Sequence, residues 1–211
     1  MTQIDLSPLT LILAATARGT TRLAGMGGAG IVQLATALTA LGAWLEGDGQ
    51  GNWTVRGTGV GGWREPGRVL ELGQIPDAVP LLAGMLATLP FTSVLATDSG
   101  DGAQVLTDLR VPLERVGARL VLGRGDRLPG SITGTAWPLP AHHTGLEGKA
   151  ALSLLLAGLN SPGRTGIDAR PALDPALDLL RRFGAGAETL DGITWVTGYP
   201  DLTGTGLATG P

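Results

Sequence analysis

The 211-residue chain has no cysteine. Disulfides, thiolate metal sites and a cysteine nucleophile are therefore excluded, while the redox compartment stays open. It has a single lysine, Lys149, beside fourteen arginines, and charged residues make up only 16%. With a formal net charge of −3 there is no basic surface for a polyanion, which argues against nucleic acid as a partner. No apolar run reaches the roughly 20 residues that a membrane-spanning helix needs. Met1 to Ser7 holds no basic side chain and includes Asp5, unlike a secretory signal. These absences predict a cytoplasmic protein with no membrane partner.

An apolar fraction of 43% is enough for a folded core, in one large domain or two small ones. Three stretches are apolar on nearly every side: Leu9 to Ala17, Ala78 to Leu89 and Leu146 to Leu159. A helix of that kind must be covered all round. Leu-Ala pairs inside them, at 13, 82 and 156, are 69 and 74 residues apart. Gly-Ala pairs at 42, 117 and 184, which close the amphipathic helices, are spaced 75 and 67. Glycines 57, 134 and 198, which end hairpin strands, are spaced 77 and 64. Ordered landmarks at a period near 70 predict an internal repeat.

Each unit reads alike. In the first, Ser7 is predicted to cap a helix from Pro8 to Ala17, with proline at its first position. Thr20 to Leu23 is β-prone, Gly25 to Gly30 a turn, and Ile31 to Leu41 an amphipathic helix buried along Ile31, Leu34, Ala35, Leu38 and Leu41. Trp44 to Glu46 and Trp53 to Gly57 form a hairpin. The second unit has helix 78–89, strand 91–96, a turn at 98–102, helix 103–116, and strands 119–122 and 131–134. The third has helix 146–159, strand 164–169, helix 174–183 with Asp174 capping Pro175, and strands 188–190 and 193–198. The reading is one α/β (α+β) domain over 1–211. It consists of three βαβαββ repeats (about 1–66, 67–138 and 139–211) around a pseudo-threefold axis. The apolar helices lie inside, and sheets and amphipathic helices outside.

Several segments resemble the EPSP synthase branch of the enolpyruvyl transferase family. They are LILAATARGTTRL (Leu11 to Leu23), ATALTALGAWLE (Ala35 to Glu46), WTVRGTG (Trp53 to Gly59), PLERVGARL (Pro112 to Leu120), ALSLLLAGLNSPGRTGI (Ala151 to Ile167) and LDLLRRFGA (Leu177 to Ala185). The resemblance implies one of that family's two inside-out α/β barrel domains and a place in the shikimate pathway and aromatic amino acid biosynthesis. Family members run to about twice this length, and their second domain supplies the catalytic acids and further phosphate-binding arginines.

The resemblance also assigns positions. The family's lysine-serine pair and following arginine, which hold phosphate and carboxylate groups, fall at Ile4, Asp5 and Leu9, with Ser7 between them. Its phosphate-cradling loop falls at Gly73-Gln74-Ile75-Pro76-Asp77 and its phosphoenolpyruvate arginine near Gln104. The serine-glutamine motif heading the third apolar helix falls at Glu147-Gly148-Lys149. Asp174-Pro175 stands where many members have Asp-His. Asp5, Ser7, Gln104, Glu147, Lys149 and Asp174 are thus the substrate-binding candidates by position. The charged anchors are replaced: Asp5 repels an oxyanion, and proline in the loop removes a backbone donor.

Outside the resemblance the candidates are few. Lys149 reads either as an anion ligand at a helix N-terminus or as a solvated first-turn residue paired with Glu147. His142-His143 reads as a loop pair, with no acidic cluster at ligand spacing, so no metal site is predicted. The glycine run 25–30 lacks a following lysine and reads as a turn rather than a phosphate cradle. Trp53, Trp63, Trp137 and Trp195 read as packing residues. No cofactor and no catalytic residue are predicted. The expectation is a degenerate binding, regulatory or assembly module. Its partners would be a second copy, a second chain carrying the other domain, or an anionic small molecule. The alternative is half of a split enolpyruvyl transferase acting on phosphoenolpyruvate and shikimate 3-phosphate. A third reading, another anionic ligand as in RNA 3′-terminal phosphate cyclases, is disfavoured by the low positive charge.

Overall fold

A computed structural model describes residues 5–73, 75–98, 101–169, 173–204 and 206–208. Chain order is α1 (Ser7–Thr16), β1 (Thr20–Ala24), α2 (Ala29–Ala40), β2 (Trp44–Gly47), β3 (Trp53–Arg56), β4 (Leu70–Glu71), α3 (Ala78–Leu86) and β5 (Thr92–Ala96). There follow α4 (Asp101–Val116), β6 (Arg119–Gly123), β7 (Arg127–Thr133), β8 (His142–Leu146), α5 (Gly148–Leu159), β9 (Arg164–Ala169), α6 (Asp174–Arg182), β10 (Ala187–Leu190), β11 (Ile193–Thr197) and β12 (Gly206–Ala208).

The strands form three four-stranded sheets ordered β12-β1-β3-β2, β4-β5-β7-β6 and β8-β9-β11-β10. In each, the first pair is parallel and the other two pairs are antiparallel. The first sheet takes its parallel edge strand from the far end of the chain, where β12 pairs Arg22 with Gly206 and Ala24 with Ala208.

The core lies between the sheets. Every residue of α3 is buried, as are Pro8–Thr16 of α1 and Ala150–Leu159 of α5. α3 packs against both α1 and α5, while α1 covers β3, α3 covers β7, and α5 covers β9 and β11. Each leucine so enclosed stabilises the fold by roughly 2 kcal/mol. The outer helices show one buried face each. In α2 it is Ile31, Leu34, Ala35 and Leu38, with Leu41 just beyond; in α6 it is Ala176, Leu177, Leu179 and Leu180.

All three outer helices stop in the same way. Gly42, Gly117 and Gly184 have φ of 110°, 111° and 94°. The next alanine N–H then reaches back to Leu38, Leu113 and Leu180 carbonyls, which satisfies a helix-end acceptor.

Some expectations require correction. Ser7 is not a cap: it is the first helical residue, after Leu6 at the N-cap position, and its N–H donates to Asp5 Oδ1 at 2.9 Å. Asp174 likewise lies inside its helix, after Leu173, and makes no cap hydrogen bond. The third apolar helix begins at Gly148, because Leu146 ends β8 in register with Ala169. His142 and His143 therefore sit in a strand, not a loop. α4 starts at Asp101, inside the turn predicted at 98–102 and two residues before the predicted helix start, and α3 stops at Leu86 rather than Leu89. β7 begins at Arg127, four residues before the strand predicted at 131–134, because Arg127 pairs with Gly123 of β6.

Among the tryptophans, Trp63 is buried and donates to the Ala15 carbonyl at 3.3 Å, and Trp53 donates to that of Met26 at 2.9 Å. Trp195 lies half-buried over Gly166, where a Cβ would sit 2.6 Å from its ring. Trp137 is 84% exposed, contrary to the packing role predicted for it; it precedes Pro138 in a stretch without strand or helix.

Candidate functional site

The three apolar helices run in the same direction. Lys149, in the first turn of α5, forms an ion pair with Asp77, the N-cap residue of α3. At the opposite end, Asn160 after α5 donates through Nδ2 to the Thr88 carbonyl after α3, at 2.7 Å. Asn160 Oδ1 also lies beside Gly61, close to Trp63 and the C-terminal end of α1. The three N-termini consequently share one end of the molecule. Helix N-termini present unpaired N–H groups and partial positive charge, the arrangement that suits an anion.

In this chain that end is lined by its own carboxylates. Asp5 precedes α1, Asp77 precedes α3 and Glu147 precedes α5. Asp5 takes the Ser7 N–H. The Ile75, Ala78 and Val79 N–H groups are turned to the carbonyls of Leu72, Ile75 and Pro76. These three donors are therefore spent within the loop and the first turn of α3. Gly73 has φ 54°, and its carbonyl accepts from Thr97 Oγ1 and from the Asp98 N–H. Gln74 lies outside the described residues, as do Ile4 and the residues 99–100 of the predicted turn at 98–102.

The remaining candidates are placed as follows. Glu147 is exposed with extended backbone, φ −130° and ψ 157°, and Lys149 is turned away from it to Asp77, which corrects the pairing predicted from sequence. The Lys149 and Asp77 side chains retain 31% and 15% exposure. Gln104 is exposed in the first turn of α4, and Asp174 is exposed at the first residue of α6. Of the six positional candidates, the structure joins Asp5 to Ser7 and Lys149 to a residue outside the set. Asp77 was the one missed. A signal for it existed: it precedes the second apolar helix as Asp5 and Glu147 precede the other two.

Elsewhere, His142 Nε2 lies 2.7 Å from Asp168 Oδ1 on the outer face of the third sheet. An open groove of about 480 Å³ runs over β1, β2 and β3, between Arg22, Glu46, Thr54 and Trp53. Among the described residues no three His, Asp or Glu side chains converge as metal ligands, and no helix is long and apolar enough to cross a membrane.

No family model matches the chain. It is 37% identical over 210 residues to the 3-phosphoshikimate 1-carboxyvinyltransferase of Paramagnetospirillum magneticum, covering 95% of this chain and 47% of that protein. The enzyme of the same name from Paracoccus denitrificans is 36% identical, with 88% and 43% covered. EPSP synthase from Acinetobacter baumannii superposes with a TM-score of 0.86 at 25% identity, over 98% of this chain and 47% of that one. The enolpyruvyl transferase NikO from Streptomyces tendae shares the fold with a TM-score of 0.62 at 18% identity, over 96% and 49%. The chain spans about half the length of the curated relatives it matches. In sequence and in fold it is an EPSP synthase-like domain, similar to one half of the 3-phosphoshikimate 1-carboxyvinyltransferases.

Proposed function

We propose that this domain does not carry out enolpyruvyl transfer on its own and acts as a binding, regulatory or assembly module. The observation that carries the reading is the Lys149–Asp77 pair. The chain's single lysine stands at the shared end of the apolar helices, and an internal carboxylate already neutralises it. A phosphate or carboxylate ligand would have to displace Asp77 and approach Asp5 and Glu147, which repel it. Asp5, Ser7, Gln104, Glu147 and Asp174 then serve as surface and helix-start residues, not as substrate ligands. The test is calorimetry with shikimate 3-phosphate, with and without phosphoenolpyruvate, together with an assay for released phosphate. No binding heat and no turnover are expected; turnover by the purified chain would refute the reading.

A second reading is supported by the extent of the similarity, which covers 47% of the relative from Paramagnetospirillum magneticum. In it, the domain is half of a split transferase that a second chain completes. It requires measurable shikimate 3-phosphate binding and a tight heteromer recovered by affinity capture. Absence of both would exclude it. Self-association is the remaining partner proposal, and sedimentation giving a clean monomer would remove it.

A further inference from the structure

We propose that the edge strand β8 is an acid-released latch, held shut by the buried neutral imidazole of His143. β8 is weakly held. Among the described residues it is the outermost strand of the third sheet and pairs only with β9. Its register breaks between His143 and Leu146, and Gly145 inside it has φ 73°. Such a bulge interrupts the hydrogen-bond ladder. The strand is anchored instead by the inward side chains His143 and Leu146, which are 2% and 9% exposed.

His143 is an unusual anchor. Its Nε2 has no hydrogen-bond partner although the residue is enclosed. The charged groups that act on it are Arg115 from α4 and His142 from its own strand, and both oppose a positive imidazole. Among the described residues no carboxylate acts on it to offset them. In β9, Asp168 is bonded to His142 on the outer face, and Arg164 is paired with Glu188. The buried length of α5 carries no charge, and Lys149 at its start is paired with Asp77. Burial first, then Arg115, then His142, push the His143 pKa down from its ordinary value to about 4.

The sign follows from linkage. In the released strand the imidazole is hydrated and binds its proton near pH 6.5; in the closed strand it does so only near 4. Closure is therefore fully favoured above about pH 6.5 and is lost progressively as the pH falls towards 4. The open fraction rises up to about tenfold per pH unit, roughly 300-fold across that window. Release frees the segment that leads into α5 and the turn bearing Glu147 and Lys149.

Amide hydrogen exchange, corrected for the intrinsic pH dependence and read as protection factors from pH 7 to 4.5, tests this in the intact chain. Protection in β8 should fall close to tenfold per unit below 6.5 while the β10–β11 pairing keeps its protection. A flat β8 profile, or a uniform fall in all three sheets, would overturn the proposal. His143→Gln should flatten the β8 response, whereas His142→Gln should keep it. Should the first variant not fold, the NMR titration of His143 in the unaltered protein decides. An inflection near 4 supports the latch, and one near 6.5 sinks it.

Discussion

Gly84 in the middle of α3 lies directly against the backbone carbonyl of Ser153 in α5, so that a Cβ at position 84 would overlap the Ser153 oxygen. The two apolar helices are in contact through backbone at this point, and their separation is set by the missing side chain.

Gly84→Ala should consequently destabilise the domain although alanine is the better helix former. Overpacking against backbone costs about 3 kcal/mol, since neither helix can move without unpacking its sheet. Urea denaturation should show a lower midpoint with an unchanged slope. A midpoint equal to or above that of the parent would contradict the packing.

A matching constraint occurs where each hairpin passes the end of an apolar helix. A Cβ at Gly57 would overlap the Ala17 carbonyl oxygen, one at Gly134 those of Leu86 and Leu89, and one at Gly198 that of Ser161. Alanine at any of the three should cost about 2–3 kcal/mol. Gly27, with nothing within 4 Å of its would-be Cβ, should accept alanine with a change below about 0.5 kcal/mol. Thermal melts of the four variants separate these outcomes, and equal effects at 27 and 134 would defeat the explanation.

Lys149 and Asp77 form a partly enclosed ion pair. Either Lys149→Met or Asp77→Asn should lower stability by about 1–2 kcal/mol, because the surviving partner is left with reduced solvation. The double variant should lose less than the two single losses added, with a coupling of about 1 kcal/mol. Additive losses in that cycle would mean the pair is not formed.

Asn160 is 8% exposed, and its Nδ2 donates both to the Thr88 carbonyl and, at 3.2 Å, to Thr88 Oγ1. Asn160→Ala strands that carbonyl in the interior and should cost about 1–3 kcal/mol. Thr88→Val removes the weaker acceptor together with the hydroxyl's own donation to the Met85 carbonyl at 3.0 Å. An unchanged midpoint for Asn160→Ala in chemical denaturation would show that the Asn160 bond to the Thr88 carbonyl does not support the fold.

The framework was legible because its signals are local. Leu9 to Ala17 carries no polar face, so it had to be enclosed, and it is. Gly42, Gly117 and Gly184 each follow an amphipathic helix and each adopt the left-handed conformation that closes one. The parallel edge strands were not legible. β4 has two residues, β12 three, and β8 is broken at Gly145, so none shows alternation of its own. His143 looked like half of a loop pair until β9 gave it a register opposite Ile167.

The candidate end divides the same way. The sequence holds a carboxylate near the start of each apolar helix, at Asp5, Asp77 and Glu147, although Glu147 reads there as part of the helix that the structure begins at Gly148. That Lys149 would turn to Asp77 rather than to Glu147, two residues away, is not written in the chain. By itself the sequence determined which segments must be buried and where each amphipathic helix must end, because burial periodicity and positive φ are properties of a few consecutive residues. Only the tertiary structure decided which N-termini meet, which strand from the far end completes the first sheet, and which charge the single lysine satisfies. Those outcomes depend on residues brought together across tens of positions, and the packing of α3 against α5 is what brings Asp77 to Lys149.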